Sequence, residues 1–255
     1  MLRKLIKHEF KATARLLLPI YIVLAAIALL CKLIHSLDIY KGVLYLIPGV
    51  FTVIYAISVI ASLAVTFIFA VIRFYKNLIS DEGYLMFTLP VKPTALINSK
   101  LIVSISWLII NAAVIFIASA FTFPNIISEI IEGFLDSVAA EFGSRSYLIA
   151  TELIIMIMIN IVYTMLLFYV SIAIGQLYRS KIIFSVVAYL CIYFATQIIA
   201  VIIVLCLGLM QNDLIFSTTS IPKLILPFFI VFYLALTVVL YIITNFIFSN
   251  KLNLD

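Results

Sequence analysis

Six stretches of this chain run for about twenty residues or more with almost no charge: Leu16–Ile34, Val43–Ile72, Leu101–Phe123, Tyr147–Gly175, Ile182–Met210 and Leu224–Phe248. A helix needs about 20 mostly apolar residues to cross the hydrocarbon core of a bilayer. In lipid every backbone N–H and C=O must be satisfied within the protein, which leaves only helices and closed barrels. Barrel strands alternate polar and apolar residues over segments of about ten, and these runs do not alternate. The expected fold class is an all-α integral membrane protein with six transmembrane helices. Pro48-Gly49 is expected to break the second run, so that the span proper starts at Phe51.

Composition agrees. The 255 residues are 66% hydrophobic and 11% charged, whereas a soluble domain is about half apolar and a quarter charged. The chain reads as a single transmembrane domain over 1–255. Cys31, Cys191 and Cys206 lie in apolar runs; an odd number without regular spacing argues against a disulfide framework or metal cluster, and they read as small core residues. The basic N-terminus followed by an apolar run resembles a signal peptide. No small-residue cleavage site follows, however, and Leu30 before Cys31 is too bulky for a lipoprotein site, so a retained anchor is expected.

Orientation follows from lysine and arginine. With the N-terminus inside, the inner segments hold Arg3, Lys4, Lys7, Lys11, Arg15, Arg73, Lys76, Lys92, Lys100, Arg179, Lys181 and Lys251. The outer side holds Lys32, Lys41, Arg145 and Lys223, and most of the acids. Both termini are therefore expected in the cytoplasm, and residues 73–100 form an inner loop between spans two and three.

Two further helices are expected. At 100° per residue Leu2, Leu5, Ile6, Phe10, Thr13 and Leu17 share one side of the N-terminal segment, opposite Arg3, Lys4, Lys7, His8, Lys11 and Arg15. That pattern predicts an interfacial amphipathic helix over 1–15 with its cations near anionic lipid. Glu9 breaks the apolar side; a cation within the bundle and the solvent are both open to it. Outside, Ile126, Ile127, Ile130, Ile131, Phe134, Leu135 and Val138 face away from Glu129, Glu132 and Asp136, predicting an external amphipathic helix between spans three and four, packed on the outer rim. No repeat relates the two halves, which disfavours a secondary carrier built from inverted repeats.

Catalytic signatures are missing from the sequence. His8-Glu9 lacks the second histidine of H-E-x-x-H, and no G-x-x-x-x-G-K-[ST] phosphate loop occurs. No catalytic, cofactor or metal residue is expected, and no nucleic-acid partner. The polar residues at bilayer depth are Asn111, Asn160, Gln197 and Asn245, with Glu152 near the outer boundary. Such residues either line a pathway or bond between helices, and both readings stay open.

The inner loop "RFYKNLISDEGYLMFTLPVKPTALINSK" carries six charges in 28 residues. Asn77 or Ser80 can cap a short helix with Asp81 and Glu82 in its first turn. Leu85, Met86, Phe87 and Leu89 give it an apolar surface, Pro90 and Pro93 stop it, and Lys100 anchors span three at the interface.

This loop resembles that of the permease subunits of type-2 ATP-binding-cassette exporters, which carry an acid, then Gly, then a Thr/Leu-Pro step, then Lys opening the third span. The matching residues here are Glu82, Gly83, Leu89-Pro90 and Lys100. "DEGYLMFTLPVKP" is similar to the version in Gram-positive anaerobes, and "IAIGQLYRSK" and "SNKLNLD" also fit. The resemblance implies a permease domain in a bacterial plasma membrane, working as a homo- or heterodimer on a separate ATP-binding subunit. It further implies that Asn77–Leu89 is a cytoplasmic coupling helix, docking through Asp81, Glu82, Gly83, Tyr84, Phe87 and Pro90. A non-transporting immunity or sensor protein and a small secondary carrier are the competing expectations.

Overall fold

In the computed structural model of the chain, residues 2–37, 46–79, 93–178, 180–210 and 220–250 are described. These residues form seven α-helices: α1 Leu2–Ser36, α2 Leu46–Ile79, α3 Pro93–Thr122, α4 Pro124–Phe142, α5 Ser146–Gly175, α6 Lys181–Met210 and α7 Ser220–Asn250, with one 3-10 turn, Gly143–Arg145, before α5. No strand occurs among the described residues. Six of the helices are long and apolar enough to cross a bilayer, α4 being the exception. Their outward faces carry large apolar side chains such as Ile22, Ile60, Ile117, Ile157, Ile182 and Val231. Water would not tolerate so continuous an apolar surface; hydrocarbon does. The chain is a multi-pass membrane protein.

Several local expectations are corrected. Residues 2–15 do not form a helix of their own, because α1 continues unbroken to Ser36. Pro19 removes one internal hydrogen bond without ending the helix, since the neighbouring turns hold it. Pro48-Gly49 does not break the second span either: α2 begins at Leu46, so Pro48 falls in the first turn, where its missing N–H costs nothing. Asn77 caps no new helix, being inside α2, and Pro93 opens α3. The amphipathic α4 is present, but Ile126, Ile130, Ile131, Phe134 and Leu135 are exposed, so most of its apolar face is not packed on this chain; only Val138 is buried. Of the three cysteines only Cys31 is a core residue, while Cys191 and Cys206 lie on exposed faces of α6.

Two compact units divide the chain. The first comprises 1–73 and 98–133. Its core is a stripe on α1, Glu9, Thr13, Leu17, Tyr21, Leu24, Ala28 and Cys31, spaced by three or four residues as a helix requires. Leu17 and Tyr21 pack with Val103 and Trp107 of α3, and Leu24, Ala28 and Cys31 pack with Tyr55 and Ala118. Small residues bring α1 and α3 close enough for Thr122 Oγ1 to donate to Ala28 O at 3.4 Å.

The second unit comprises 74–97 and 134–255. The C-terminal half of α5 is its axis: Met165, Leu166, Leu167, Tyr169, Val170, Ser171, Ile172 and Ala173 are buried on all sides. Phe74 stacks on Tyr169 with ring centroids 3.5 Å apart and meets Phe248 edge-on, and Tyr163 donates to Thr196 Oγ1 at 2.9 Å. At Gly175 the chain turns into α6 so closely that a Cβ would sit against Ser185 Oγ, 2.6 Å from Lys181 O and 2.7 Å from Ser185 N. Only glycine fits that turn.

Candidate functional site

Among the described residues, the strongest concentration of buried charge lies in the first unit. Glu9 is on the packed stripe of α1, four residues before Thr13, so its carboxylate is carried inward with the core. Oε1 accepts from Lys100 Nζ at 2.8 Å and Oε2 from Arg73 Nε at 2.8 Å. The Lys100 side chain is 4% exposed and that of Arg73 21%. Lys100 is therefore a buried partner of Glu9 rather than an anchor snorkelling to the membrane interface. Two cations on separate oxygens of one carboxylate satisfy it more completely than either alone. The open question about Glu9 is answered: it pairs within the bundle.

A chain of hydrogen bonds continues from this triplet into the bilayer-depth part of the unit. Thr13 Oγ1 donates back to Glu9 O at 2.8 Å and accepts from Trp107 Nε1 at 2.7 Å. Trp107 also stacks on Phe10, centroids 4.6 Å apart. Tyr21 OH lies 3.2 Å from Thr66 Oγ1 and donates to Trp107 O at 3.5 Å. Asn111 completes the series, its Nδ2 donating to Ser62 O and Thr66 Oγ1, both at 3.0 Å. Ser62 Oγ approaches Asn111 Oδ1 at 3.4 Å. Three helices are thus joined at three heights by polar groups that could find no partner in hydrocarbon.

The four polar residues expected at bilayer depth are not gathered together. Asn111 is fully buried in the first unit, with its amide engaged by α2. Asn160, Gln197 and Asn245 belong to the second. Asn160 and Gln197 are exposed, and Thr164 reaches the Asn160 side chain from the next turn at 3.5 Å. Asn245 Oδ1 is buried without a hydrogen-bond partner, as are both amide atoms of Gln176, which is 2% exposed. Gln176 escaped sequence reasoning because it lies just beyond an apolar run, where a polar residue ordinarily meets water. The docking residues Asp81, Glu82, Gly83, Tyr84, Phe87 and Pro90 lie outside the described residues. Their flanks are described: α2 ends at Ile79, six residues after Arg73, and α3 starts at Pro93, seven before Lys100.

No family model, curated protein or solved structure matches the chain. Among the described residues no group of His, Cys, Asp and Glu could hold a metal ion. Chemically, the arrangement is a mechanical one. The triplet joins the helix that leads into the polar loop, the helix that leads out of it, and α1.

Proposed function

We propose that the chain is the membrane-spanning permease subunit of an ATP-driven exporter of the ATP-binding-cassette type. The reading is carried by the segment over 80–92, acidic, aromatic and closed by Pro90 and Pro93, in a chain otherwise built of apolar spans. The ion triplet supports it. A loop that binds a moving partner is useful only if its displacement reaches the spans. Arg73 and Lys100 stand just behind the two ends of this loop and share one carboxylate on α1.

On this reading a separate subunit binds and hydrolyses ATP. Two permease chains, identical or homologous, enclose the route between them in a bacterial plasma membrane, with both termini in the cytoplasm. Asp81, Glu82, Gly83, Tyr84, Phe87 and Pro90 seat in the ATPase. Closure of the ATPase pair pushes the loop, and Glu9 carries that displacement from α2 and α3 to α1.

The test is co-purification from membranes in mild detergent, followed by ATPase measurement in liposomes. Glu82→Lys keeps the inner segment cationic, so topology should hold. Phe87→Ala removes an aromatic anchor of the kind that often carries about 2 kcal/mol of binding, roughly a thirtyfold loss of affinity. Both variants should reach the membrane at the normal level and lose the ATPase, or lose the link between cargo and ATP turnover. Normal assembly with normal coupling in both would refute the proposal.

A further inference from the structure

We propose that the exposed cations on the first four turns of α1 form a binding stripe for the headgroups of anionic phospholipids. This inference does not depend on the transport reading. Arg3, Lys4, Lys7, Lys11 and Arg15 are all exposed. At 100° per residue they fall in an arc of about 120° centred opposite Glu9. Glu9 is the only acid on α1, and both its oxygens are taken by Arg73 and Lys100. The helix therefore cannot neutralise its own basic face.

The depth of the stripe follows from its neighbours. Arg73 directly follows the apolar run of α2, and Lys100 directly precedes that of α3. Their shared partner Glu9 therefore lies level with the ends of those two runs, seven residues before the apolar run of α1 begins at Leu16. At a rise of 1.5 Å per residue, Arg3 and Arg15 lie about 9 Å to either side of Glu9 along the axis. The headgroup layer is about 5–7 Å thick on each side of the hydrocarbon, and long cationic side chains reach toward it from either direction.

What chooses a lipid over an acidic protein is the surface next to the cations. On the same arc, the helix continues with Leu18, Ile22 and Leu29, which are 50%, 67% and 50% exposed. No polar rim separates the basic segment from this apolar one. The occupant must be anionic at one end and apolar at the other, as a phospholipid is.

The experiment uses the full-length chain in detergent with equimolar phosphatidylglycerol and phosphatidylcholine of the same acyl composition, and reads bound lipid by native mass spectrometry. The wild type should retain phosphatidylglycerol preferentially, less so as salt is raised, because screening weakens exposed charges. Replacing Lys4, Lys7 and Lys11 together by Gln should reduce the preference on the order of a hundredfold, from about fivefold per cation. Replacing the same three by Arg should preserve it. Trp107 emission verifies that each variant is folded. Equal retention of both lipids by the wild type would overturn the proposal, as would an unchanged preference in the Gln variant. A Gln variant that keeps its lipid preference but loses binding to polyglutamate would instead mark the stripe as a protein-docking face, and would also overturn it.

Discussion

Replacing Glu9 by Gln removes one negative charge and leaves two cations facing an amide. At 2.8 Å and an effective dielectric of about 20, the Glu9–Lys100 attraction alone is about 6 kcal/mol gross. Desolvation of both ions offsets much of that, and the net loss on breaking a buried pair is about 3–5 kcal/mol, because the surviving charge stays buried. Lys100, at 4% exposure, is that charge; Arg73, at 21%, can turn part of its guanidinium to water and adds about 1 kcal/mol at most. Glu9→Gln is therefore expected to destabilise the protein by about 3 kcal/mol. Combining it with Lys100→Met removes the orphaned cation and should restore more than half of that loss. Trp107, the single tryptophan, is a built-in reporter, since Thr13 ties its ring to Glu9 O. Unfolding would be followed by its emission in mixed micelles of increasing denaturing detergent. If Glu9→Gln changes stability by less than about 0.5 kcal/mol, or the double variant is no better than the single, the triplet does not hold α1 to α2 and α3.

Gly175→Ala should cost about 1–3 kcal/mol by overpacking the turn against Lys181 O and Ser185 N, measured in the same titration; a neutral outcome would mean that α6 can shift to admit a methyl group. Asn111→Leu should cost about 1–2 kcal/mol through its lost interhelical bonds, whereas Gln197→Leu, on an exposed face, should fall within about 0.5 kcal/mol. Equal costs would contradict the interhelical bonding of Asn111 to Ser62 and Thr66. In a variant lacking Cys31, Cys191 and Cys206, an impermeant thiol reagent should label Ser128→Cys but not Ser80→Cys in intact cells; the reverse pattern would invert the topology.

The fold class was legible because bilayer thickness and the need to satisfy the backbone leave a run of about twenty apolar residues little choice but a helix. Four of the six apolar runs fall wholly within long helices, the third runs one residue past the end of α3 at Thr122, and the second overlaps α2. The helical period also placed Glu9, Thr13 and Leu17 on one side of α1, which pointed to Glu9 as the anomaly. Helix boundaries were less legible. Pro48-Gly49 reads in sequence as a helix break and is none in the structure, because the cost of a proline depends on whether the lost bond would have been made, and in a first turn it would not. Pairing was not legible at all. Which cations meet Glu9 depends on contacts 64 and 91 residues apart in sequence, and nothing local to Arg73 or Lys100 distinguishes them from other interface cations. The same holds for Asn111: the sequence placed an amide at bilayer depth, but only the approach of α2 decided that Ser62 and Thr66 would satisfy it. Local periodicity is written in the chain because each helix makes its own hydrogen bonds. Partnership is a property of the packed bundle, where the strong preference to pair a charge or an amide away from water selects among partners that only the tertiary fold brings within reach.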